Sequence, residues 1–255
     1  QHFSCGVSLW SVRNCFEKND FDALDAFLVY FQNTMLKMRN SKLPVIAAPV
    51  GMSIGGGFEV VLHADHVVGH ANSVMGLVES FMGVVPAGGG CKETLYRWSE
   101  NLGDTRKGAW KSFMNIGLGR RANSPQEADA LSMRRADDVF HMNRDRILNS
   151  ALSSIETTSK AKVRSPLALS GSDHFEEMLE WLTTSHQKGM LTPHDVTVGT
   201  EIGRIMTGGN CDSGTIFTEQ DILDAERSSF LTLAQTQETQ ARIVSMLDNG
   251  ITLRN

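Results

Sequence analysis

Two carboxylates and a glycine turn are the groups in this chain best suited to chemistry. The stretch GMSIGGGFE, residues 51–59, ends on Glu59, and a second glutamate, Glu79, follows twenty positions later. The apolar run KLPVIAAPV before it reads as a buried strand, and FEVVLHA after it as the first turns of a helix. Three consecutive glycines at such a junction let a ligand approach the backbone with no Cβ in the way. A helix starting there leaves its first amide N–H groups unpaired and favours an anionic oxygen beside them. Glu59 falls about one turn into that helix, so anion donors and a carboxylate lie within a few residues. The combination suits acid–base chemistry at a centre that gains negative charge on oxygen. Taken singly, each glutamate also fits a solvated position, because helix dipoles attract acids to first turns and glutamates are rarely buried. Only the combination points to a site.

Positioning these groups requires a frame of alternating strand and helix. HFSCGVSLW reads as the end of a strand entering a small-residue turn at Gly6. Asp20 is placed to cap a helix whose apolar residues, Phe21, Leu24, Phe27, Leu28, Phe31, Met35 and Met38, recur at helical spacing. Residues 44–50 form the short apolar run of a strand covered on both faces. HADHVVGH reads as another strand, VMGLVES as a strand or turn carrying Glu79, and VVPAGGGCKETLYRW as a second glycine turn feeding a second helix. In SPQEADAL, Ser124 caps, Pro125 takes the first helical position and Glu127 follows at the third. This alternation predicts an α/β core. Beyond it, residues 146–155, 175–186, 192–206 and 218–247 read as helix, so the expected division is 1–155 for the core and 156–255 for a helical region.

Composition narrows the function classes. With 255 residues, a formal charge of -5 and 41% hydrophobic content, the chain is an ordinary globular protein. No basic stripe suggests nucleic acid, and no run of eighteen apolar residues suggests a membrane span. Four scattered cysteines without a CxxC pair fit a reducing compartment, and a cytoplasmic location is expected. His63, His66 and His70 cross from helix to strand, where three rings do not converge on a metal, so none is expected. No GxGxxG spacing is present, and TGGN near Gly208 lacks the spacing and lysine of a phosphate loop. The opening QHFSCGVSLW has neither an initiator methionine nor a signal-peptide pattern. It starts in mid-pattern, and a preceding portion is expected.

The stretch KLPVIAAPVGMSIGGGFEVVLHADHVVGHANSVMGLVESFMGVVPAGGG resembles the central signature of the crotonase, or enoyl-CoA hydratase, superfamily, and FSCGVSL resembles its earlier oxyanion-hole segment. The resemblance runs from about residue 3 to about residue 153. It implies a crotonase-like ββα superhelix, truncated at its N-terminus, with the helical region following. It also implies that the Val7 and Gly56 N–H groups form an oxyanion hole and that Glu59 and Glu79 are the catalytic pair. Ser4, Cys5, Gly6 and Val7 would lie against coenzyme A. The implied reaction is hydration of 2-enoyl-CoA in fatty-acid β-oxidation, with double-bond isomerisation or a non-catalytic scaffold role as alternatives.

HMNRDRIL, LTPHDVTVGTEIGRIMTGG, FTEQDILDAERSSF and TQARIVSMLDNGITLRN resemble the tail of bacterial proteins that join a 3-hydroxyacyl-CoA dehydrogenase to a crotonase domain. That implies an acyl-CoA thioester substrate, an N-terminal dehydrogenase portion of the same parent chain as partner, and NAD bound only there. This chain is expected to hold no cofactor of its own. Crotonases commonly form homo-oligomers, which the unusual tail makes a weaker implication here. Phe58, Val78, Ala87 and Ser8 depart from the usual cysteine, proline, glycine and acidic residue. None removes a catalytic group, and Phe58 and Val78 are expected to alter pocket shape.

Overall fold

The computed structural model describes residues 2–160 and 163–255. Ser8 caps a first helix, α1 (Leu9–Glu17), by accepting from Ser11 N–H. The sequence reading did not anticipate this helix. Asp20 caps α2 (Phe21–Arg39) as expected, accepting from Ala23 N–H at 3.0 Å. Then come β1 (Ile46–Ala47), β2 (Met52–Ile54), α3 (Gly56–His63), β3 (His66–His70), β4 (Val74–Gly76), a 3-10 turn over Glu79–Met82, and α4 (Gly90–Leu102). The strand expected over 44–50 is therefore only two residues long. The core continues through α5 (Thr105–Gly117), β5 (Arg121–Ala122), α6 (Pro125–Ala130), β6 (Val139–His141) and α7 (Ile147–Ser154). Ser124 caps α6 by accepting from Glu127 N–H, with Pro125 at its start.

The strands show why the unit is a superhelix. β1 pairs parallel with β3, and β2 pairs parallel with β4, so successive β-β-α units stack strand upon strand into two separate sheets. β6 extends the first sheet in parallel, and β5 closes the second in antiparallel. At the other edge of β2, Ser4 bridges in parallel to Ser53, and its N–H donates to the Met52 carbonyl. This pairing lays the N-terminal segment beside the start of α3.

The C-terminal region is helical apart from one antiparallel pair, β7 (Leu167–Ala168) with β8 (Ile216–Phe217). Its helices are α8 (Gly171–Gln187), α9 (Pro193–Thr207), α10 (Glu219–Ala234) and α11 (Gln237–Asn249). The single helix expected over 218–247 is thus two. Apolar spacing continues across the junction, but Thr236 leaves the helical path and its side chain accepts from Thr239 N–H, starting α11. One buried cluster includes Phe58, Leu62, Met75 and Leu95 with Met178, Leu182, Ile202 and Leu233. Each such side chain contributes about 1.5–3 kcal/mol on burial, so the helical region and the ββα units stabilise one another. Among the described residues no helix is long and apolar enough to cross a membrane.

Candidate active site

A cavity of about 330 Å³ opens between the N-terminal segment, α2, α3 and the two last helices. Cys5, Gly6, Val7, Gly56, Glu59 and Glu79 all line it. These six residues come from three separate segments, 5–7, 56–59 and the turn at Glu79, which the fold brings to one place. Ser4 is not among the lining residues. It sits behind, with its carbonyl accepting from Ile54 N–H at 3.1 Å and its hydroxyl accepting from Gly6 N–H at 3.2 Å. A Cβ on Gly57 would stand 2.5 Å from Ser4 Cβ, so this glycine is what lets segment 4–7 lie flush against α3. The Val7 and Gly56 N–H groups have no acceptor among the described residues. Both residues line the cavity.

The two glutamates are placed under opposite hydrogen-bonding conditions. Glu59 Oε1 accepts from Gly88 N–H and Gly90 N–H, each at 2.8 Å. These donors belong to the glycine turn that begins α4, and a Cβ on Gly88 would stand 2.2 Å from Phe31 and 2.8 Å from Glu59 Oε2. Burial pushes the Glu59 carboxyl up, the two amides and Lys92 pull it back, and burial wins, leaving it at about 7. Glu79 begins the 3-10 turn, and its two buried oxygens have no aligned hydrogen-bond partner among the described residues. Burial first, then the charge of Glu59, pushes it to about 8. The carboxylate with donors is therefore the easier to ionise, and the one without them keeps the proton.

His63 lies behind Glu59. Its Nδ1 is 2.7 Å from the Glu59 carbonyl, which can only accept, and its Nε2 is 3.0 Å from Lys92 Nζ, which can only donate. The ring is thus neutral with its proton on Nδ1, and burial, helped by Lys92, holds it down at about 3. The three histidines do not converge. His66 faces Asp137 and Asp138, and His70 contacts the Met142 carbonyl.

The remaining wall is apolar and comes from elements not anticipated at the site. Val12 of α1, Phe27 and Phe31 of α2, Phe230 of α10, and Ile243 and Met246 of α11 all line the cavity. Val78 lines it too, whereas Phe58 is buried in the core and does not. Val78 is thus placed where it can shape the pocket, while the same expectation for Phe58 is corrected, because its side chain is buried among the core residues. A further buried carboxylate, Glu226 of α10, was also missed. Its signal was available, since a glutamate sits on the helix face that Ile222, Ser229 and Leu233 bury.

A ββα superhelix with two carboxylates and open amides around one apolar cavity defines a crotonase-fold chain. Residues 2–104 match the family described as Enoyl-CoA hydratase/isomerase. Among solved structures, an enoyl-CoA hydratase from Rhodobacter sphaeroides 2.4.1 superposes with a TM-score of 0.67 at 15% identity, covering 100% of this chain and 75% of that one. One from Bacillus halodurans gives 0.60 at 15% identity, covering 96% and 77%. At such identities the likeness establishes the fold. A "Probable 3-hydroxyacyl-CoA dehydrogenase" of Bacillus subtilis (strain 168) is 30% identical over 259 residues, covering 100% of this chain and 33% of that protein. A "Putative fatty acid oxidation complex trifunctional enzyme" of Rickettsia felis is 29% identical over 153 residues, covering 59% of this chain and 20% of that protein. The chain therefore spans about a third or less of these curated relatives. The crotonase resemblance read from the sequence is borne out.

Proposed function

We propose that this chain hydrates 2-enoyl-CoA thioesters to 3-hydroxyacyl-CoA. The observation that carries the reading is the pair Glu59 and Glu79, both buried at one apolar cavity, one with two amide donors and the other with none. In the reaction the thioester oxygen accepts from the Val7 and Gly56 N–H groups. The Glu59 carboxylate takes a proton from water as the water oxygen bonds to C3. The C2=C3 electron pair moves toward the thioester, where the two amides stabilise the enolate oxygen, and Glu79 delivers its proton to C2. The elements of water are then added, and return of the proton from Glu59 to Glu79 resets the pair. Fixed donors of this kind are worth about 100 to 1000-fold in rate.

The product class is the one that the Bacillus subtilis relative's name identifies as its substrate. We infer that hydration here feeds a dehydrogenase portion of a longer parent chain in fatty-acid oxidation, and that NAD binds there. The test follows loss of the conjugated enoyl thioester absorbance with crotonyl-CoA and a longer 2-enoyl-CoA. Glu59→Gln and Glu79→Gln are each expected to lower turnover at least ~100-fold. Full turnover in both variants would sink the reading. The absence of aligned donors at Glu79 favours one second reading, isomerisation by that carboxyl alone. It requires Glu59→Gln to keep converting 3-enoyl to 2-enoyl thioesters.

A further inference from the structure

The first turn of α4 is held from two sides by two buried carboxylates. Glu59 takes the N–H groups of Gly88 and Gly90. Glu226 takes the alternate ones, Gly89 N–H through Oε2 at 2.8 Å and Lys92 N–H through Oε1 at 2.6 Å. These are amides that a helix N-terminus leaves unpaired, and here two acids divide them. Glu226 has 0% exposure and does not line the cavity, so it does not touch a bound substrate. It comes from α10, in the helical region far along the chain.

We propose that Glu226 is a positioning residue for the acid–base pair: by anchoring Gly89 and Lys92 it keeps Gly88 and Gly90 aimed at Glu59, and so decides which glutamate holds the shared proton. The inference rests on reading Glu59 and Glu79 as that pair. The surrounding charges are few. Glu226 faces Glu59 from α3, and Lys92 and Cys91 from α4. Lys92 Nζ turns away to Glu219 at 2.6 Å and to His63. From α2, Asp25 pairs with Arg227, and from α9, Glu201 accepts from Ser229, so neither is directed at Glu226. Glu59 faces Glu79, Glu226 and Lys92. Burial, then Glu59, pushes the Glu226 carboxyl well up, and burial keeps the Cys91 thiol neutral.

Two neutral variants separate clamp from charge. Glu226→Gln keeps the volume and can accept from one of the two amides; Glu226→Leu accepts from neither. Because both side chains are neutral at every pH, a difference between them does not come from a difference in charge and reports the acceptor that glutamine keeps. Glu226→Gln is expected to lower kcat for crotonyl-CoA about tenfold, the worth of one weakened hydrogen bond to a charged group, with KM within about twofold. The acidic limb of its kcat/KM profile should lie about one pH unit below that of Glu226→Leu, in which Glu59 loses its donors and protonates more readily. The Glu59 titration midpoint, followed by carboxyl carbon NMR and assigned with Glu59→Gln, should show the same order without any turnover.

A kcat for Glu226→Gln within twofold of wild type overturns the proposal, whether or not the leucine variant folds. Coincident midpoints for Gln and Leu overturn it as well. Ordered midpoints in a chain with no hydration activity would leave the positioning role standing and remove the proposed reaction.

Discussion

Two clusters of buried charge flank the first turn of α4, and they follow opposite rules. On one side Glu93 is surrounded by cations: Arg39, Lys92 at 3.2 Å and Arg164 at 2.8 Å. Burial alone would push its carboxyl up, but Lys92, Arg164, His63 and Arg39 together hold it well below the usual range. On the other side Glu59, Glu79 and Glu226 have no ion pair with any lysine or arginine among the described residues, and burial pushes all three up. Around one helical turn the fold thus sets a carboxylate of α4 that stays charged and, from α3, the 3-10 turn and α10, a set that burial drives toward the protonated form. Depth is the same in both; the difference lies in partners. A paired charge fixes structure, while an unpaired one near neutrality can exchange a proton with a substrate.

The contrast can be broken first at the paired side. Glu93→Gln leaves buried cations uncompensated and is expected to cost about 3–5 kcal/mol in urea unfolding, with the pH limbs of turnover unmoved. A loss under 1 kcal/mol, or shifted limbs, would mean that the two clusters act as one.

The unpaired side gives the opposite pH dependence. The Glu79 carboxyl lies at about 8 when folded, against an ordinary 4.5, so the folded state binds more protons than the unfolded one between those values. Its stabilising effect is complete below about pH 4.5 and is lost as pH rises through about 8, a fall of about 5 kcal/mol in all, of which about 3.5 lies between pH 5 and pH 8. Glu79→Gln should remove most of that fall, measured as the change in urea midpoint from pH 5 to pH 8. An equal fall in the variant would contradict the assignment.

A smaller effect tests the seam between the N-terminal segment and α3. Gly57→Ala places a Cβ 2.5 Å from Ser4 Cβ and 2.7 Å from the Ser4 carbonyl oxygen. It is expected to cost about 1–3 kcal/mol of stability. By moving Val7 N–H away from Gly56 N–H, it should also lower kcat about tenfold. Gly117→Ala, whose Cβ meets nothing closer than 3.9 Å, is the control and should do neither.

Much of the candidate site was legible in the sequence because its parts are local. Gly56 and Glu59 share one helical turn, so spacing placed those two together, while Glu79, after the strand that pairs beside it, was joined to them through the family resemblance. Asp20 and Ser124 were readable as caps for the same reason, since a cap needs only the next three residues. The helix at Leu9 and the break at Thr236 were not, because apolar spacing there is compatible with both outcomes and tertiary packing decides.

What the sequence by itself determined is an α/β alternation and a set of candidate groups beside a glycine turn, both encoded at short range by glycine, strand and helix periodicity; the ββα superhelix and the roles of the glutamates came through the family resemblance. Only the tertiary structure decided what surrounds those groups. Glu226 is separated from Gly89 by 137 residues, and Ile243 and Met246 reach the cavity only after the helical region folds back on the core. The proton affinities of Glu59 and Glu79 depend on which amides and charges arrive in that low-dielectric space. Desolvation and pairing act through distance in space, and periodicity along the chain carries no record of them.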